Sequence, residues 1–174
     1  MVEKAPYNVV KKVGDIEIRK YPPTLLAVVN GYEGDSGFNL LFNYISGNNS
    51  SQKKIPMTAP VVTSEKIPMT APVITKDKYM AFVLPSSYNQ ETVPIPENSE
   101  VKIQKQQEKI YAVFRFSGKT NEKRVQKYFQ KLLNIVKDNN ITIKGSPILM
   151  RYNSPFAPGF IRRNEVAVEI ENFL

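Results

Sequence analysis

Apolar residues recur at helical spacing in two stretches of the chain. Val125, Tyr128, Phe129, Leu132, Leu133 and Val136 follow the i, i+3, i+4, i+7, i+8, i+11 series, while Lys123, Arg124, Lys127, Lys131 and Lys137 occupy the other faces. An amphipathic helix is predicted there, with Thr120 as N-cap and Asn139-Asn140 as its stop. Phe38, Leu41, Phe42 and Ile45 predict a second, shorter helix, opened by Asp35 or Ser36 and closed near Gly47-Asn48. The pattern elsewhere is extended. Asp15 to Lys20, Thr24 to Tyr32, Tyr79 to Leu84, Val101 to Gln107, Lys109 to Phe116 and Glu165 to Ile170 are the predicted strands.

The layout repeats on a larger scale. A shift of 85 residues carries Ile16 onto Val101, Ile18 onto Ile103, Lys20 onto Lys105, Ala27 onto Ala112 and Val28 onto Val113, and each half then runs into an amphipathic helix and further strands. The expectation is a single domain over 1–174 with two β-α-β halves, about 7–84 and 99–171, joined by a proline-rich link at 85–100. Such halves form an antiparallel α+β unit with two helices, its sheet curved into an open barrel.

One repeat is local and literal. Lys-Ile-Pro-Met-Thr-Ala-Pro-Val occurs at 54–61 and again at 66–73. Periodicity constrains residue classes, not identities, so an exact octapeptide copy needs a local reason. In an extended chain Ile55, Met57, Ala59 and Val61 share one face. Pro56 and Pro60 lack N–H groups on one hydrogen-bonding side, which predicts an edge strand, or an extended segment at a barrel rim, rather than a central strand. With a turn over Val62 to Glu65, the copies would form a hairpin centred on Thr63 that pairs Met57 with Met69. Two soft thioethers would then line one face, suited to an irregular core gap or to a flat apolar ligand.

Composition narrows the chemistry. Hydrophobic residues at 41% and charged residues at 23% are those of a globular protein able to bury a core. With no Cys and no His, the chain has no disulfide, Cys nucleophile, His-dependent triad, Cys/His zinc site or imidazole-ligated haem. Absent cysteine suits a reducing compartment, and no stretch approaches ~18 consecutive apolar residues. A cytoplasmic monomer without membrane insertion is expected. The net charge of +8 favours an anionic ligand or partner, although a solvated helix face accounts for many of the lysines. Lys109-Ile-Tyr-Ala-Val-Phe-Arg-Phe116 approaches an RNA-recognition signature, but Ile110 stands at its glycine position and no partner strand accompanies it. Nucleic acid is not an expected partner.

Several motifs in order carry a resemblance. Gly47-Asn48, the paired KIPMTAPV segments, Met80-Ala-Phe-Val-Leu-Pro-Ser, Tyr111-Ala-Val-Phe-Arg-Phe-Ser-Gly, Arg151-Tyr-Asn-Ser-Pro155 and Arg162-Arg-Asn-Glu-Val166 resemble the SOUL/haem-binding protein family across nearly the whole chain. The tandem MTAPV pair is similar to plant- and protist-type members. The resemblance implies a distorted antiparallel β-barrel of two β-α-β-β repeats with two helices, like effector-binding domains. It also implies haem or another tetrapyrrole bound in an apolar surface groove. One branch of the family has been assigned a histidine ligand and another uses a shallow groove with basic residues; only the second mode is open to a chain without histidine.

A porphyrin is a flat apolar disc with two propionates on one edge, so its site needs an apolar wall and nearby cations. Ile55, Met57, Val61 and Met69 are the expected wall, and Lys54, Lys66, Arg162 and Arg163 the expected cations. For the two arginines the competing expectation is ordinary surface pairing with Glu165 and Glu169. No residue is singled out as an iron ligand. The expected role is a non-enzymatic carrier or buffer. The alternatives are a peptide- or small-effector-binding module, with a protein partner, and a hydrolase-like enzyme using Glu165 as general acid or base.

Overall fold

A computed structural model describes residues 2–32, 34–65, 78–153 and 157–171. The second octapeptide copy, including Lys66 and Met69, lies outside the described residues. The chain divides into two compact units that interleave along the sequence: Met1–Ala5, Pro23–Thr63 and Asp77–Gln107 form the first, and Pro6–Pro22, Ser64–Lys76 and Glu108–Leu174 the second. Among the described residues each is α+β with one α-helix, and its strands are antiparallel except for a two-residue parallel pair in the first unit.

The first unit contains β1 (Glu3–Lys4), β4 (Thr24–Asn30), α1 (Gly34–Ile45), β5 (Thr58–Ser64), β6 (Tyr79–Val83) and β7 (Val101–Gln106). Strand β4 is flanked by β6 and β7, and β6 also pairs with β5. Residues alternate across this sheet. Leu25, Ala27, Val29, Met80 and Phe82 pack on Leu41, Tyr44 and Ile45 of α1, while Leu26, Val28, Ala81 and Val83 form an apolar cluster with Ala5 on the far side.

The second unit contains β2 (Asn8–Val13), β3 (Ile16–Tyr21), β8 (Lys109–Ser117), α2 (Glu122–Asp138), β9 (Ile143–Arg151), a 3-10 turn (Gly159–Ile161) and β10 (Arg163–Ile170), with sheet order β2-β3-β8-β10-β9. The predicted helical face of α2 is the one buried: Val125, Phe129, Leu132, Leu133 and Val136 pack on Ile16, Ile18, Ala112, Phe114, Val166 and Val168. Asn121, not Thr120, caps the helix, its side chain accepting from the Arg124 N–H, and Asn139 closes it as expected.

The interleaving follows from pairing. Ile16 lies opposite Phe114 in β3–β8, and Val29 opposite Val101 in β4–β7. The 85-residue shift carries Ile16 onto Val101 and Val29 onto Phe114, so it converts one ladder into the other. In each ladder a strand of one half pairs with a strand of the other, β3 with β8 and β4 with β7.

Two expectations about the first octapeptide fail. Strand β5 is not an edge: Thr58 pairs with Val83 of β6 and with Glu3 of β1, so both of its sides are covered. Pro60 is tolerated there because it falls in the register shift between Thr58 and Val61, where the ladder is interrupted. Nor does the chain turn at Thr63, which stays in strand opposite Met80. The turn expected at Thr63 does not form, and the Met57–Met69 pairing lies outside the described residues.

Candidate functional site

Alternation along β10 sends Val166, Val168 and Ile170 toward α2 and therefore Arg163 and Glu165 to the other face of the second sheet. In β3, Ile16 and Ile18 face α2, and Glu17, Arg19 and Tyr21 face away. The β3–β8–β10 register brings these side chains together, though Arg19 and Glu165 are 146 residues apart. Arg19 holds Glu165 in a two-point clasp, Nη1 donating to Oε1 at 2.8 Å and Nη2 to Oε2 at 2.7 Å. The same guanidinium donates to Tyr21 Oη and to Glu17 Oε1 and lies 4.1 Å from the Tyr7 ring centroid. Arg163 adds a second cation, with Nη2 3.1 Å from Glu165 Oε2 and 2.9 Å from Tyr7 Oη, and it stacks 4.0 Å from the Tyr152 ring centroid.

This cluster corrects the expectation of surface pairs. Glu165 is fully buried and Arg19 only 2% exposed. Burial alone would raise the Glu165 carboxyl, but hydrogen bonds and charge from Arg19, then Arg163, outweigh it and hold the group below the usual carboxylate range. Burial likewise opposes the charge on Arg19, and Glu165 and Tyr21 reverse that to raise its pKa. Burial pushes Tyr21 up to about 12 despite the opposing charge of Arg19. A carboxylate kept ionised and engaged by two guanidiniums is poorly placed to exchange protons with a substrate.

The cluster also anchors the segment before β10. Tyr152 N–H donates to Arg163 O, and Asn153 Oδ1 accepts from Arg163 N–H. Arg162 Nε donates to Ala157 O at 2.8 Å, bracing the 3-10 turn. On that turn Phe160 is 82% and Ile161 55% exposed. Together with Arg115, Phe116, Ser117 and Arg162 they line an open groove of about 410 Å³, within the ~300–1,000 Å³ typical of small-molecule sites. Its walls combine exposed apolar surface with two guanidiniums, the donor set for a flat apolar molecule bearing carboxylates. A neighbouring cavity of about 320 Å³ shares Arg115 but is lined by the already engaged Arg19, Glu17 and Tyr7.

Of the residues expected at the site, Lys54, Ile55, Met57 and Val61 belong to the first unit and Arg162 and Arg163 to the second. Arg162 lines the groove. The Arg163 guanidinium is engaged by Glu165 and Tyr7. Ile55 is 3% exposed, donates its N–H to Ile45 O and belongs to the α1 core. Met57 and Val61 are half-buried against that core, and Lys54 is exposed. Phe160, Ile161 and Arg115 were not anticipated. Their signal was an apolar pair set between the Pro158-Gly159 turn and the Arg162-Arg163 cations.

A model of the SOUL heme-binding protein family matches residues 2–169. Heme-binding protein 2 of Mus musculus is 30% identical over 180 aligned residues, covering 95% of this chain and 87% of that protein. Heme-binding protein 2 of Homo sapiens is 31% identical over 159 residues, covering 87% and 77%. Among solved structures, the C-terminal domain of EcmrR matches with a TM-score of 0.60 at 11% identity, covering 95% of this chain and 98% of that one, a likeness of fold alone.

Proposed function

The chain belongs to the SOUL heme-binding protein family, and on that premise we propose that it binds haem or a related tetrapyrrole in the open groove of the second unit, without a histidine ligand. The observation that carries this placement is the exposed Phe160–Ile161 pair beside Arg115 and Arg162. The apolar pair takes a face of the macrocycle and the two guanidiniums take its propionates. The bound group would supply the light absorption and redox chemistry of its iron; this chain's residues hold and orient it. With no His or Cys in the sequence, neither imidazole nor thiolate ligates the iron, and the apolar face and the propionate contacts carry the binding. Binding of that kind is reversible, which suits a monomeric cytosolic carrier or buffer.

The enzymatic reading through Glu165 loses support from the two-arginine clasp on its carboxylate. Titrating haem into the apo-protein tests the proposal. A saturable Soret shift is expected, and it should weaken about tenfold for each charge-assisted contact removed by Arg115→Gln or Arg162→Gln. No Soret shift would leave the small-effector or peptide reading in its place.

A further inference from the structure

We propose that the Phe160–Ile161 turn docks on the surface of anionic phospholipid bilayers, so that the groove described above meets its ligand at a membrane. This deepens the haem reading and rests on it for its purpose, while docking itself requires no haem. Among the described residues, no other two adjacent large apolar side chains are as exposed. They sit on a three-residue turn, braced by Arg162 Nε on Ala157 O and followed by Arg162 and then Arg163, which is tied to the buried Glu165. A fixed apolar tip of this kind enters the headgroup–acyl boundary without the ordering cost of a flexible loop.

Charge selects the occupant. None of the residues lining the groove is acidic, and Arg115 and Arg162 flank the tip. Arg124 adds a third cation beside it, with Nη2 2.7 Å from the carbonyl of Ser117, a groove residue. The acid closest in sequence, Glu165, is buried and engaged by Arg19 and Arg163. Guanidiniums around an apolar tip match the layering of an anionic bilayer, phosphates outside and acyl chains beneath. No helix among the described residues is long and apolar enough to cross a membrane, and docking at the interface needs none. Haem is itself an amphipath with apolar faces and anionic edges, so a surface suited to lipid is suited to receiving haem from it.

The test is co-sedimentation of the haem-free protein with vesicles of phosphatidylcholine alone or mixed with phosphatidylserine, at low and high salt. Binding is expected to the mixed vesicles, to fall with salt, and to be lost in the Phe160→Glu/Ile161→Glu variant. Arg115→Gln/Arg162→Gln should weaken it by about fivefold per cation. Ile95→Glu, which removes an exposed apolar side chain of the first unit, should leave it unchanged. Equal sedimentation of wild type and the Phe160→Glu/Ile161→Glu variant, equal loss with Ile95→Glu, or no sedimentation of the wild type overturns the docking. Soret titration in vesicle-free buffer reads haem binding separately, so failure of one proposal is distinguishable from failure of the other.

Discussion

The sheet face away from the helix is apolar in the first unit and ionic in the second. Leu26, Val28, Ala81 and Val83 pack with Ala5 in one; Glu17, Arg19, Arg163 and Glu165 gather among tyrosines in the other. The first arrangement needs only hydrophobic transfer, about 1.5–3 kcal/mol for each large side chain buried. The second removes charges from water, and a well-packed apolar replacement of such a cluster is often equally or more stable. Stability alone therefore does not account for it. It ties the Arg163 side chain to Glu165 and Tyr7, two residues beyond the turn that carries Phe160 and Ile161.

Breaking the cluster should have the largest effect. Glu165→Ala leaves the buried Arg19 guanidinium without its two-point partner and is expected to cost about 3–5 kcal/mol in denaturant unfolding. Val28→Ala, on the corresponding face of the first unit, should cost less. Joint replacement of Arg19, Arg163 and Glu165 by Met, Met and Leu should recover stability while weakening haem binding; if binding survives, the cluster does not position the groove.

pH sharpens the same contrast. Glu165 is depressed in the folded state, so its contribution is present above the unfolded carboxylate value, about 4.3, and is lost as pH falls through its lower folded value. Glu165→Gln should flatten that acid limb, as read from thermal unfolding across pH. At high pH the units behave alike. Burial pushes Tyr21 and Tyr44 up to about 12, so their contribution is complete below the ordinary tyrosine value of about 10 and declines as pH rises through about 12.

The smallest expected effect lies in the first unit. Thr58 Oγ1 is buried without a hydrogen-bond partner among the described residues, so Thr58→Val should be neutral or stabilise by up to about 1 kcal/mol. Destabilisation on chemical denaturation would show that the hydroxyl is satisfied after all.

Both helices and six of the strands were legible because their apolar spacing reports burial directly. Strand β2 was not, since five of its six residues are exposed and show no alternation. Strand β9 carries Gly145 and Pro147, ordinary signs against a strand. The glycine is explained by Glu169, whose carboxylate would lie 2.5 Å from a Cβ placed there. The literal octapeptide pointed to the correct family, but the pairing of its first copy on both sides of Thr58 is a tertiary fact that no local pattern carries. Arg162 was legible from its neighbours. The clasp between Arg19 and Glu165 was not, because only strand register brings residues so distant in sequence together.

Haem affinity in two variants, one from each unit, tests the central claim most directly. Phe160→Ala is expected to weaken the saturable Soret shift about tenfold, the loss of a buried aromatic contact, whereas Met57→Ala should leave it within a factor of about two, too small to mark a lost anchor. A shift abolished by Met57→Ala and untouched by Phe160→Ala would instead place the ligand on the first unit.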